Sequence, residues 1–255
     1  MNNYGLNRFR FKPLIHRNAR RDALSHRQRP LMRMALIALI SFLVMVGCSE
    51  KSTSDPVESP STQKAQAYTG TIVAMGDSLT AGLGVAEEKA YPAQLAHRLQ
   101  ADGHNYRVVN AGVSGETSSG AKSRIEWVVE SLNPDIVILE TGANDGLRGL
   151  DPGLLKANLD DLIGFMKARG IQVVLAGMQM LPNLGPDYTR AFSRIYPWIA
   201  EKHHVIFIPF FLEGVAGSDT LNQSDKLHPT ADGYTRIVET IYPYVLEAIK
   251  RHEAG

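Results

Sequence analysis

From Gly70 to the C terminus, short β-branched apolar runs alternate with stretches of helical periodicity. Thr71–Met75, Tyr106–Asn110, Ile136–Leu139, Ile171–Met178 and Val205–Phe210 read as strands. Between them, helices are expected over Pro92–Gln100, Ala121–Leu132, a Leu155–Met166 face ended by Gly170, and a segment through Phe192, Ile195 and Ile199. A last helix is expected to open at Pro229 and run through Ile237, Ile241 and Val245. Pro197 and Pro243 fall inside helical patterns and are expected to kink or split them. Strands separated by helices require crossover connections, hence a parallel sheet covered on both faces. In such sheets a ligand sits beyond the carboxyl ends of the strands, so the residues just after each strand become the functional candidates.

Four such blocks carry chemistry: Gly76-Asp77-Ser78-Leu79-Thr80, Asn110 through Glu116, Thr141-Gly142-Ala143-Asn144-Asp145, and Asp225-Lys226-Leu227-His228-Pro229. A serine hydroxyl is a weak nucleophile until a base takes its proton. His228 is the candidate base for Ser78, and Asp225, three residues earlier, is placed to hold the imidazole tautomer. The backbone N–H groups of Ser78 and Gly115 and the Asn144 amide are candidate oxyanion donors. Asp77 is expected to brace its own turn and Asp145 to cap the segment that follows it. Ser114 and Thr117 are read equally as site lining or turn bonding, and Met178, Met180 and Leu181 equally as acyl pocket or core. His203-His204 reads as a surface pair rather than metal ligands.

These four blocks, in this order, resemble those of the SGNH (GDSL-type) hydrolases over essentially all of residues 70–250. Val113-Ser114-Gly115-Glu116-Thr117 and Gly142 through Gly149 look like the thioesterase/lysophospholipase/arylesterase branch. The resemblance implies an α/β, three-layer flavodoxin-like fold with a five-stranded parallel sheet in the order 2-1-3-4-5. It also implies an ester hydrolase working through Ser78, His228 and Asp225, with Ser78, Gly115 and Asn144 as the oxyanion hole. Two other readings stay open on the residues alone. One is a carbohydrate O-deacetylase of the cell envelope; the other is a non-catalytic lipoprotein binding acyl chains or glycans. The expected substrate is a small-molecule or lipid acyl ester.

Charge divides the chain. Residues 1–47 hold nine Lys and Arg against one acid, Asp22, a net +8. The remainder carries 18 basic and 25 acidic residues, a net −7, so the overall +1 averages two unlike parts. The acidic body argues against nucleic acid as a partner. After Arg33 an apolar run from Ala35 to Val46 spans about 18 Å as a helix, short of the ~30 Å hydrocarbon core. Basic residues, a short apolar run and small residues make a secretory signal. Met45-Val46-Gly47-Cys48 resembles a bacterial lipobox, with Met45 in place of the usual Leu. The single cysteine of the chain, Cys48, is thus the expected lipidation site, which excludes a disulfide framework. Residues 1–47 are read as an N-terminal extension and lipoprotein signal, with Met1, Met32 or Met34 as the start. Residues 48–67 form a Ser-, Thr- and Pro-rich tether, and residues 68–255 the hydrolase domain. A lipid-anchored envelope protein facing the periplasm follows, on the outer membrane if the cell is Gram-negative. No P-loop, His-Glu-x-x-His, Gly-x-Ser-x-Gly elbow or dinucleotide fingerprint is present, so no metal or cofactor is expected.

Overall fold

A computed structural model describes residues 67–180 and 182–255. The signal, Cys48, nearly all of the tether and Leu181 lie outside the described residues. Five parallel strands, β1 (Gly70–Gly76), β2 (Tyr106–Gly112), β3 (Ile136–Glu140), β4 (Gln172–Ala176) and β5 (Ile206–Ile208), form one sheet. Their order is β2-β1-β3-β4-β5, as expected, with Ala74 level with both Asn110 and Ile138. The helices are α1 (Ser78–Ala81), α2 (Tyr91–Ala101), α3 (Ser118–Leu132), α4 (Ala143–Leu147), α5 (Pro152–Lys167), α6 (Pro186–Ser193), α7 (Ile195–His203) and α8 (Ala231–Ala254). One face of the sheet is covered by α2 and α8, the other by α3, α5 and α7.

In α3, α5 and α8 one stripe of residues buries and a side chain caps the first turn. In α3, Thr117 Oγ1 accepts the Gly120 N–H at 3.4 Å, and Ala121, Ile125 and Val128 turn inward at helical spacing. In α5, Asp151 caps Gly153 at 2.9 Å, Pro152 occupies the first turn, and Leu155, Leu159, Leu162, Ile163 and Met166 are buried. The inner strands are apolar on both sides because helices cover both: Ile136 through Glu140 are all buried. Fully burying each such aliphatic side chain contributes about 1.5–3 kcal/mol. No helix among the described residues is long and apolar enough to cross a membrane.

Several local expectations need correction. The last helix begins at Ala231, where Thr230 Oγ1 accepts the Gly233 N–H at 3.2 Å; Pro229 instead pairs with Asn222 in an isolated antiparallel bridge. Pro243 leaves the 24-residue α8 continuous. A proline there removes one hydrogen bond, and the buried Ile241, Tyr242 and Val245 around it hold the helix against the sheet. Pro197 does coincide with a break: it has no N–H for the carbonyl of Ser193, and α6 stops at that residue. Strands β4 and β5 end earlier than expected, because Met178 and Phe210 leave the ladder to line a cavity.

Candidate active site

All four blocks converge at the carboxyl edge of the sheet. β1 delivers Gly76 into a tight turn in which Asp77 Oδ1 accepts the Leu79 N–H at 3.0 Å, and Ser78 opens α1. Asp77 braces its turn as expected. The turn needs glycine at its entry: a Cβ on Gly76 would stand 2.1 Å from Thr80 Oγ1 and 2.5 Å from the Glu140 carbonyl.

His228 approaches from the loop between β5 and α8. Ser78 Oγ lies 2.8 Å from His228 Nε2, and His228 Nδ1 lies 2.6 Å from Asp225 Oδ2. The other Asp225 oxygen accepts the N–H groups of Leu227 at 2.9 Å and His228 at 3.0 Å. Those bonds, the His228 N–H foremost, hold the carboxyl down at about 2. An ionised Asp225 accepts only, so the imidazole donates from Nδ1 and presents Nε2 as the acceptor for the serine hydroxyl. Ser78 is 8% exposed, while the Asp225 side chain is 45% exposed at the rim.

Beyond β2, Val113 to Glu116 close a turn with the Glu116 N–H on the Val113 carbonyl at 3.1 Å. Gly115 sits there at φ +78°, a left-handed conformation that a side chain disfavours. Arg148 donates to the Gly115 carbonyl at 2.7 Å. Arg124 from α3 makes two 2.6 Å bonds to Glu116, and this ion pair is largely buried. Beyond β3, Asn144 on α4 donates its amide to Asp77 Oδ2 at 2.9 Å. Asp145 corrects a second expectation. It reaches back to Ser118, accepting the N–H at 2.8 Å and the hydroxyl at 2.6 Å, and so supports the start of α3 rather than the segment that follows it. Tyr196 donates to the Thr141 carbonyl at 2.8 Å, holding the turn that leads into α4.

These parts face a cavity of about 680 Å³ whose lining includes Ser78, Gly115, Asn144 and His228. Leu83, Leu147, Met178, Met180, Leu212 and Leu227 supply the apolar lining. Met178 and Met180 therefore line the cavity, Met178 being buried as well. Ser114 and Thr117 do not line it; Thr117 caps α3. His203 Nε2 lies 2.6 Å from Asp160, and among the described residues no group of three or more His, Cys, Asp or Glu is arranged to hold a metal.

Strand-end reasoning missed Phe210, Leu212, Ala216 and Gly217, cavity-lining residues that follow β5 and carry no chemical motif. It missed Glu140 as well, although a single acid ending the run Ile136-Val137-Ile138-Leu139 is a visible anomaly. Arg124 and Glu116 offered no signal, being ordinary charges eight residues apart.

The sequence profile of the GDSL-like Lipase/Acylhydrolase family matches residues 74–236, which include all four blocks. Esterase TesA of Pseudomonas aeruginosa is 40% identical over 178 residues, covering 70% of this chain and 89% of that protein. Thioesterase 1/protease 1/lysophospholipase L1 of Escherichia coli K12 is 34% identical, covering 66% of this chain and 80% of that protein. A crystal structure of TesA superposes with a TM-score of 0.68 at 39% identity, covering 70% of this chain and 99% of that one. With the fold, the strand-end blocks and these likenesses in agreement, the chain belongs to the GDSL-like lipase/acylhydrolase family and is an ester hydrolase.

Proposed function

We propose that this protein is a membrane-anchored serine esterase acting on esters or thioesters of acyl chains through an acyl-enzyme intermediate. The observation that carries the reading is the continuous line from Ser78 Oγ through His228 to Asp225, at 2.8 and 2.6 Å, opening on an apolar cavity. Ser78 Oγ attacks the acyl carbon while His228 Nε2 takes its proton, and Asp225 stabilises the imidazolium. The carbonyl oxygen becomes an oxyanion, received by the N–H groups of Ser78 and Gly115 and by the Asn144 amide. As the tetrahedral species collapses, the alcohol or thiol leaves with the proton from His228. Water then repeats the sequence on the acyl-serine and releases the acid.

Asn144 has two amide hydrogens, and the bond to Asp77 uses one. The other remains for the oxyanion. A cavity of about 680 Å³ with leucine and methionine lining offers far more apolar room than an acetyl group needs. That favours aryl, lipid or thioester substrates carrying a chain over acetylated sugars. The name of the Escherichia coli relative, thioesterase and lysophospholipase, is consistent with such substrates.

The anchor is read from the basic segment, the apolar run and Cys48. Acylation at Cys48 would hold residues 68–255 at an envelope membrane, since each buried CH₂ of an acyl chain adds about 0.8 kcal/mol. Ser78→Ala is expected to abolish hydrolysis and fluorophosphonate labelling while leaving the circular dichroism spectrum unchanged; residual turnover refutes the nucleophile. A series of p-nitrophenyl esters from acetate to palmitate is expected to peak beyond acetate. Cys48→Ser is expected to move the protein from the membrane to the soluble fraction.

A further inference from the structure

Beneath the nucleophile turn lies a second acidic group that the reaction scheme leaves unused. Glu140 ends β3, the central strand, and is fully buried. Its Oε2 accepts the backbone N–H of Asp77 at 3.2 Å and the Thr80 hydroxyl at 2.9 Å. One carboxyl oxygen therefore grips the chain on both sides of Ser78. Asp77, 1% exposed, accepts Leu79 N–H through Oδ1 and the Asn144 amide through Oδ2. Glu140 Oε1 is buried and, among the described residues, has no hydrogen-bond partner.

We propose that Glu140 is a positioning residue for ester hydrolysis: it sets the Asp77–Thr80 turn that presents Ser78 and, through Asp77, aims the Asn144 amide. The inference rests on the reading of Ser78 as nucleophile and Asn144 as oxyanion donor. The ionisable neighbours of the Asp77–Glu140 pair are Tyr91 on α2, Tyr234 on α8, Tyr196 on α7 and His228 from its loop. Arg124 reaches the Gly76 carbonyl at 3.4 Å, but its charge is paired with Glu116. Two buried carboxyls without a fixed cation do not both ionise. Burial, and then the adjacent Asp77, push Glu140 well above the usual carboxylate range, which favours its protonated form. With Glu140 protonated, Asp77 serves as the acceptor for Leu79 and Asn144. Removing that proton places two anions side by side and loosens the turn.

The test compares Glu140→Ala and Glu140→Gln with wild type on p-nitrophenyl butyrate across pH, with Ser78→Ala as reference. Displacing a reacting group by an ångström costs on the order of 100-fold, so Glu140→Ala is expected to lower kcat by about 30- to 100-fold with KM changed less than about threefold. Glutamine reproduces the neutral donor–acceptor pattern without a titrating proton. Glu140→Gln is therefore expected to restore kcat to within about threefold of wild type, and to lack the alkaline fall in kcat that ionisation of Glu140 imposes. Should Glu140→Ala not fold, Thr80→Val, which removes one of the two bonds to Oε2, is expected to show a kcat-selective loss of about three- to tenfold. A Glu140→Gln enzyme as slow as the alanine variant, one that keeps the alkaline fall, or losses expressed in KM overturn the proposal. Hydrolysis surviving in Ser78→Ala would instead overturn the underlying mechanism.

Discussion

Asn144 donates to Asp77 across the carboxyl edge of the sheet, Nδ2 to Oδ2 at 2.9 Å, although 67 residues separate them in the chain. The residue beside the nucleophile thereby orients the amide proposed to meet the oxyanion. Removing one oxyanion donor lowers kcat by about 10²–10³, so Asn144→Ala is expected to fall in that range. Asp77→Ala should lose part of the same effect and also the cap on Leu79, worth about 1 kcal/mol of stability. Because Asp77 acts on the reaction through Asn144, the double variant should be little slower than Asn144→Ala. Fully multiplicative losses would show that the two act independently.

Asp225 is held down at about 2 by the His228 and Leu227 N–H groups and the imidazole. Its folded value lies below the ordinary aspartate value of 3.8, so its bonds stabilise the fold above that pH and are lost as pH falls through about 2. Any difference in Tm between wild type and Asp225→Asn near neutrality should therefore disappear toward pH 2. At neutral pH the same variant should lose about 10²–10⁴ in kcat, because asparagine can hold the wrong imidazole tautomer. A Tm difference that persists unchanged down to that pH would contradict the assignment.

Glu140 titrates above the ordinary glutamate value of 4.5 because burial, and then Asp77, oppose its charge. The folded state then keeps a proton that the unfolded chain has released. Stability must fall as pH rises above 4.5, by up to about 1.4 kcal/mol per pH unit per proton. Glu140→Gln removes this dependence. Urea unfolding between about pH 5 and 8 should show the stability difference moving steadily in favour of the variant. A difference independent of pH would mean that Glu140 is ionised in the folded protein.

Gly76→Ala should destabilise the domain by about 1–3 kcal/mol, since its Cβ would meet Thr80 Oγ1, the Glu140 carbonyl and Glu140 Oε2 within 2.5 Å. A shift of the urea midpoint at constant slope is the expected record, accompanied by a fall in kcat as the serine turn is displaced. Wild-type stability and kcat would show that the turn yields without loss.

Leu212→Trp should shorten the preferred acyl chain. Leu212 lines the cavity, and a larger ring there takes up space that methylenes of the substrate would fill. Each methylene excluded forfeits about 0.8 kcal/mol, roughly fourfold in kcat/KM. Activity on acetate should remain close to wild type, and an unaltered chain-length profile would place the acyl chain elsewhere.

Much of this molecule is written along the chain. Strand β3 and the buried stripe of α5 depend on apolar periodicity, which any fold burying those faces must respect. Ser78, Asn144 and His228 stood out because a parallel sheet sends every strand end to the same edge. Boundaries were less legible where competing local bonds decided them. Thr230 rather than Pro229 starts α8 because its hydroxyl satisfies an exposed N–H, whereas proline only fits a first turn.

The order of residues was sufficient for the layered α/β plan and for which side chains gather at one edge, because both follow from periodicity and connection geometry. Packing alone supplied the rest. The 2.8 Å approach of Ser78 to His228, the reach of Asp145 back to Ser118, and the seat of Glu140 under the nucleophile are contacts between distant segments. Such contacts depend on distance and on exclusion of water, quantities that no local spacing encodes. A lone glutamate at a strand end reads the same whether it faces solvent or lies buried against a second carboxyl. Its burial, and the carboxyl of Asp77 beside it, are what push it above the usual carboxylate range.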